Sequence, residues 1–248
     1  MVQPVPDHPV ATVRADGEQI LVAADYHAGL EVALRRDGVE LDSAARERRD
    51  ALLSLVRSER PDRVVLLGDV ANAIGSPGDE EREELDALFD ALTGYAPVSV
   101  AKGNHDGELG QVVAALGYDD VTVSDGEGFR IGDVGFAHGH TWPAPDVLDA
   151  GTLCLAHEHP QVRLEDEVGG GRTERAWLRG QRDPEPFREH SGVTSEGEVV
   201  LFPAFNDRVG GTWVNEADGF LAPFLPAGFR DAEAYLLDGT RLGAYDAV

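Results

Sequence analysis

Cysteine is nearly absent from this chain. Cys154 is the only one, so no disulfide can form within the chain, and a cytoplasmic location is the expectation. Its neighbours Leu153, Leu155 and Ala156 suit a buried structural thiol better than a nucleophile. Lysine is equally scarce: Lys102 is the only one, and arginine supplies the other 20 of the 21 basic residues. Long apolar runs are missing too. No stretch approaches the roughly 20 residues that span a bilayer, and Met1 to Val10 has neither a basic nor an apolar leader segment. Neither a membrane partner nor a signal peptide is therefore expected.

Positive charge is in deficit, and the formal net charge is −25 over 248 residues. The acidic residues are spread along the chain rather than gathered in a tail. This composition reads as halophilic, a carboxylate-rich surface kept soluble where salt screens self-repulsion. An ordinary acidic protein from a GC-rich genome is the alternative, since such genomes also favour arginine. In dilute buffer the charge would argue against a nucleic-acid partner. At molar salt the Debye length is only about 3 Å, so a phosphate polymer is not excluded.

What the chain does have is an ordered pattern of strands, helices and histidines. Gln19 to Ala24, Arg63 to Leu67 and Pro97 to Ala101 are short apolar runs that read as buried strands. Helical patterns at Glu31 to Arg36, Ser43 to Glu59, Glu80 to Leu92 and Gly107 to Leu116 separate or follow them. Strand alternating with helix predicts a mainly parallel sheet, with ligands gathering beyond the carboxyl ends of its strands. From Val121 onward short strands dominate, at Val121 to Val123, Phe129 to Ile131, Val134 to Ala137, Thr152 to Ala156, Gln161 to Leu164 and Val199 to Phe202. A closing hairpin turns at Asp238-Gly239. Residues 165–198 are rich in glycine, arginine and acids with little periodicity, and read as an irregular insertion or lid. One domain over residues 1–248 with two packed sheets is the expected organisation.

Six of the eight histidines fall in short motifs that follow these strands: Asp25-Tyr26-His27, Gly103-Asn104-His105-Asp106, His138-Gly139-His140 and His157-Glu158-His159, with Gly68-Asp69 between the first two. Residues two apart in an extended segment face the same side, so Asp25 and His27 could share a cation. The Asp69 carboxylate has two oxygens and could bridge two. Asn104 offers a neutral amide oxygen, His105 a proton donor beside the metals, and Asp106 a carboxylate to orient the His105 ring. Two divalent ions against Asp25, Asp69 and a bridging hydroxide leave a charge near +1, suited to an anionic phosphate. Such a pair would activate the shared water for in-line attack, and His105 would protonate the leaving oxygen. Mixed imidazole and carboxylate donors suit Mn, Fe, Zn, Co or Ni.

Together these motifs resemble the calcineurin-like metallophosphoesterase superfamily, whose signature runs D-x-H, G-D, G-N-H-[DE], H and G-H-x-H. The resemblance implies an αββα fold, two packed mixed β-sheets flanked by helices. It implies two divalent metal ions, with manganese the leading candidate. Asp25, His27, Asp69 and His159 would hold the first ion. Asp69, Asn104, His138 and His157 would hold the second, His105 would be the catalytic histidine, and His140 a neighbour facing substrate or supporting a ligand. Ala156 stands where the family usually has glycine, and Asn72, where many relatives carry Asp or His after the G-D, would bind substrate or support a ligand. Ala24 to Glu31, Gly103 to Gly107, His157 to Pro160 and Phe202 to Asn206 resemble the ICC-like phosphoesterase branch, some of whose bacterial members are described as DNA-ligase-associated endonucleases. The implied activity is hydrolysis of phosphodiesters or phosphomonoesters. A nuclease acting on DNA or RNA with the same site, and a metal-binding scaffold without catalysis, are the alternatives. Metallo-β-lactamase and amidohydrolase folds place H-x-H early in the chain, whereas here both H-x-H pairs come late.

Overall fold

The computed structural model describes residues 1–165, 169–216 and 219–248. Its first sheet contains β1 (Val2–Pro4), β2 (Val10–Ala15), β3 (Glu18–Ala23), β4 (Arg63–Leu66), β5 (Val98–Val100) and β6 (Val121–Val123), in that spatial order. β1, β2 and β3 pair antiparallel, and β3 to β6 run parallel. The crossovers carry α1 (Leu30–Arg36) and α2 (Ala45–Glu59), then α3 (Asp79–Thr93), then α4 (Leu109–Leu116). The parallel strands are near-continuous apolar runs because both of their faces are covered. Alternation splits them cleanly. Leu21, Ala23, Val64 and Leu66 pack with Leu52, Leu85, Phe89 and Val112 of the helices. Ile20, Val22, Val65 and Leu67 pack towards the second sheet.

That second sheet is built from β7 (Phe129–Ile131), β8 (Val134–Phe136), β9 (Thr152–Leu155), β10 (Gln161–Glu165), β11 (Gly171–Arg182), β12 (Glu198–Leu201), β13 (Phe229–Leu236) and β14 (Arg241–Ala244). The spatial order is β14-β13-β11-β12-β9-β8-β7, and β10 pairs with the first half of β11. Phe136, Cys154, Trp177, Val200 and Phe202 meet the first sheet. Leu153, Leu155, Leu178, Val199 and Leu201 face outward onto α5 (Pro145–Leu148) and α6 (Pro184–Ser191) through Val147, Leu148 and Phe187. The result is the expected αββα layering. Among the described residues no helix is long and apolar enough to cross a membrane.

One expectation needs correction. The segment read as an irregular insertion over 165–198 contains the 12-residue strand β11 and the helix α6, although residues 166–168 lie outside the described residues. β11 lies between β12 and β13 in the sheet. Its exposure changes half-way: Gly171 to Thr173 form an exposed ribbon with β10, whereas Ala176 to Leu178 are buried. No single alternation runs along it, so periodicity alone fails there. At the amino end β1 and β2 extend the parallel strands by an antiparallel edge, which makes the first sheet mixed as expected.

Candidate metal centre

The parallel strands β3, β4 and β5 end at one edge of the first sheet, and the mutually parallel β8, β9 and β12 each run into a loop of the second. Their following loops carry every motif described above. The chain does not reach the site in extended form. Asp25, His27, Asp69, His157 and His159 all have positive φ, from 43° to 71°. Left-handed backbone costs a non-glycine residue about 1–2 kcal/mol, and five such residues at one point mark a site that the surrounding fold holds in place. The same-side argument from strand spacing is therefore wrong in its geometry: tight left-handed turns, and not a pleat, aim Asp25 with His27 and His157 with His159. Backbone hydrogen bonds fix these turns, from Asp25 N to Gly68 O at 3.2 Å and from His27 N to Asp69 O at 2.8 Å.

The side chains converge in two overlapping groups. Ligand atoms of Asp25, His27, Asp69 and His159 lie within 4.8 Å of one another, and so do those of Asp69, His138 and His157. Asp69 belongs to both. Asn104 Oδ1 is 3.2 Å from His138 Nε2, which places it at the second group. His140 is in neither group; its ring centroid is 5.4 Å from that of His138. His105 presents Nε2 4.0 Å from Asp69 Oδ2, beside the groups rather than within them.

These residues fit metal ions on donor chemistry. His138 Nδ1 lies 2.7 Å from Leu67 O, and His159 Nδ1 lies 2.7 Å from Gly210 O. A carbonyl oxygen only accepts, so each Nδ1 carries the proton and each Nε2 is left to face a carboxylate. Those Nε2 atoms are 3.4 Å from Asp69 Oδ2 and 3.2 Å from Asp25 Oδ1. Anchoring of one ring nitrogen so that the other can ligate is how metal-binding histidines are usually held. Both Asp25 oxygens, both ring nitrogens of His27 and Nε2 of His159 are buried without a hydrogen bond. Buried polar atoms are rarely left so, and all three residues belong to the first ligand group.

The electrostatics agree. Burial pushes His27 and His157 down to about 4, against the pull of nearby carboxylates. Burial also opposes charge on His138 and His159, but Asp69 and Asp25 respectively outweigh it and lift both to about 9. Burial would raise Asp69, yet His138 and His27 hold it well below the usual carboxylate range. Without metals, then, protons on two histidines do part of the work of cations.

Two roles expected from the sequence change. Asp106 does not orient His105. Its carboxylate is fully buried, and accepts from Ala71 N at 2.9 Å and Gly103 N at 2.9 Å, tying the loop after β4 to the loop after β5. Burial raises it to about 6. The partner of His105 Nδ1 is the backbone carbonyl of Asn72, at 2.5 Å. Asn72 thus contributes through its main chain. Glu158 and Asn206 stand inside two of the sequence motifs, but their roles are not legible there. Buried Glu158 accepts from Leu221 N and Ala222 N and from the Thr212 hydroxyl, pinning the segment after β12. Asn206 Nδ2 donates to Tyr26 O at 3.2 Å, securing the turn between Asp25 and His27. An asparagine or glutamate buried far from its sequence partner leaves no periodic signal to find.

Three solved structures resemble this one. Nuclease MPE from Pseudomonas putida has 18% identity and a TM-score of 0.56, with 98% of this chain and 100% of that chain covered. Yfce, a phosphoesterase from E. coli, has 16% identity, a TM-score of 0.41, and 90% and 96% covered. The protein AQ665 from Aquifex aeolicus has 17% identity, a TM-score of 0.37, and 56% and 77% covered. At such identity the first speaks for the fold. No curated protein sequence matches the chain. The model of the family described as calcineurin-like phosphoesterase matches residues 19–219. That stretch runs from β3 past β12 and encloses every converging side chain, so the chain belongs to the calcineurin-like phosphoesterase family.

Proposed function

We propose that this chain is a binuclear metal-dependent phosphoesterase working as one domain, with a manganese pair as its resident cofactor and phosphodiesters as its first class of substrate. The observation that carries the reading is the sharing of Asp69 between two ligand groups. One carboxylate common to both sets makes them a single site. Asp25, His27, Asp69 and His159 would hold one ion, and Asp69, Asn104, His138 and His157 the other. When bound, two divalent ions supply Lewis-acid polarisation of phosphoryl oxygens and a nucleophilic water near neutral pH.

The remaining steps belong to the protein. His105 stands outside both groups with Nε2 towards them, where it can give a proton to the leaving oxygen while Nδ1 stays bonded to the Asn72 carbonyl. His140 is half-buried next to His138 and is placed to meet substrate rather than metal. A nucleic-acid strand is the second reading, supported by the shared fold with a nuclease over the whole of both chains. A cytoplasmic site of action goes with both.

The test is a substrate panel in high salt with added Mn²⁺: a bis-aryl phosphodiester, an aryl phosphomonoester, cyclic nucleotides and single-stranded DNA. Hydrolysis of the diester should need the metal, vanish on chelation, and fall at least a hundredfold in Asp69→Ala and Asn104→Ala. Unchanged turnover in Asp69→Ala would sink the proposal. Stoichiometric binding of two ions with no turnover of any ester would favour the scaffold instead.

A further inference from the structure

The first turn of α3 is acidic, with Asp79, Glu80 and Glu81 in succession. Such residues usually complement the helix dipole, and a glutamate at the third helical position often reaches back to the helix's own first amide. Glu81 does something else. It is buried, at 6% relative exposure, and its Oε1 accepts from Asn72 N at 2.7 Å and Ala73 N at 2.9 Å. Those two amides flank the Asn72 carbonyl, the group that accepts from His105 Nδ1. The same side chain packs where a Cβ on Gly29 would be: an added methyl there would meet Glu81 Cγ at 2.7 Å. One turn along, Glu84 Oε2 accepts from Gly29 N at 2.8 Å. The amino end of α3 therefore grips both the loop after β3 and the loop after β4.

We propose that Glu81 is a positioning residue for His105, acting through the Asn72 carbonyl to fix the ring's tautomer and aim. The inference rests on the reading of His105 as the proton donor. Glu81 holds two successive amides from one side, so the peptide plane between Asn72 and Ala73 cannot rotate, and its carbonyl stays on His105 Nδ1. An anchored Nδ1–H leaves Nε2 as the nitrogen that gains and gives the transferable proton. In the transfer the Nε2–H bond breaks, an O–H bond forms on the leaving oxygen, and the electron pair of the P–O bond goes with that oxygen. The imidazolium returns to the neutral Nδ1–H form. Without Glu81 the two amides are freed, the peptide plane can turn, and the ring loses the acceptor that selects this tautomer.

Two measurements on the full chain test this. Ring-nitrogen NMR, with His105 assigned by its loss in His105→Gln, reads the tautomer without any reaction and in metal-free protein. The wild type and Glu81→Gln should show Nδ1–H, because a glutamine Oε1 can still accept from both amides. Glu81→Ala should show a mixture of tautomers. Glu81→Asp keeps the charge but shortens the reach by one methylene, and should lie between; it serves if the alanine variant does not fold. The second measurement compares leaving groups. With a poorly departing alkoxide or unsubstituted phenoxide, kcat in Glu81→Ala should fall roughly 10- to 100-fold, within the range general-acid catalysis supplies. With nitrophenoxide, which needs little protonation, it should fall by less than about threefold, and KM should change little on either substrate. In the His105→Gln background the Glu81 substitution should add almost nothing. An unchanged tautomer in Glu81→Ala or Glu81→Asp overturns the inference even if no ester is ever hydrolysed. Equal losses for both leaving groups overturn it while leaving the phosphoesterase reading intact.

Discussion

Loading the metal centre should release two protons per chain from its histidines near pH 7.5, one from each ligand group, and up to one more from the water that becomes the bridging hydroxide. His138 and His159 are held up at about 9 by Asp69 and Asp25, so both are protonated at neutral pH in metal-free protein. To ligate, each must be neutral. His27 and His157, held down at about 4 by burial, have no proton to lose, and Asp69 is already ionised. Each displaced proton makes binding about tenfold tighter per pH unit. The histidines alone should therefore make the product of the two metal-binding constants rise about 100-fold per unit between pH 6.5 and 9, about 3 kcal/mol, and this contribution ends above 9. Calorimetric titration with Mn²⁺ in two buffers of different protonation enthalpy gives the proton count directly. A count near zero at pH 7.5, or a slope as steep above pH 10 as below 9, would refute the reasoning. The same shifts set the stability of the metal-free protein. The two raised histidines add stability that is fully present below pH 6.5 and is lost as pH rises through 9. The two depressed ones make the fold lose stability as pH falls from 6.5 through 4. Metal-free protein should then be most stable near pH 6.5, and a denaturation midpoint that rises steadily to pH 9 would contradict the assignment.

Three further outcomes are expected. Gly68→Ala puts a Cβ 2.6 Å from His138 Nδ1 and 2.7 Å from Ala101 O at a φ of +75°, so left-handed strain and overpacking together should cost about 2–5 kcal/mol in thermal or denaturant unfolding. Binding of one metal should weaken with it, because His138 is displaced. Asp106→Ala leaves two buried amides, of Ala71 and Gly103, without an acceptor. It should cost about 2–4 kcal/mol, reduced by the relief of a buried carboxylate, yet leave the His105 ring tautomer unchanged by NMR. Raising KCl from 0.1 to 1 M should raise the unfolding midpoint, because screening of a net charge of −25 shortens the Debye length from about 10 to about 3 Å. A midpoint that falls or stays fixed would remove the halophilic reading.

The legible parts of this fold are those in which one residue type serves one local purpose. Ile20 to Ala23, Val64 to Leu66 and Val98 to Val100 are buried on both faces, so their apolar runs announce central strands. α2 and α3 show their helical stripes because each has one face on the core and one in water. β11 was illegible because its first half is an exposed ribbon and its second half a buried strand, with arginines at both. Arg182 at its end is buried and bonded to the carbonyls of Ala150, Ser195 and Glu196, which no charge pattern would suggest.

By itself the sequence determined which side chains could do chemistry here. Aspartates, an asparagine and histidines in five short motifs name a candidate donor set, because those side chains are among the few that ligate metals or transfer protons. It also determined that these groups lie beyond strand ends, since the apolar runs before them can be read. Tertiary structure alone decided how they are aimed. Asp25, His27, Asp69, His157 and His159 reach the centre through left-handed turns, which a string of residue types does not encode for non-glycine positions. The groups that orient the histidines are the backbone carbonyls of Leu67, Asn72 and Gly210. Every residue carries a carbonyl, so identity cannot mark which one matters; only tertiary packing brings each to a ring 71, 33 and 51 positions away in the chain. For the same reason Asp106, next to His105 in the chain, holds loops together, while Glu81, 24 residues away in α3, accepts from the two amides on either side of the Asn72 carbonyl that meets His105.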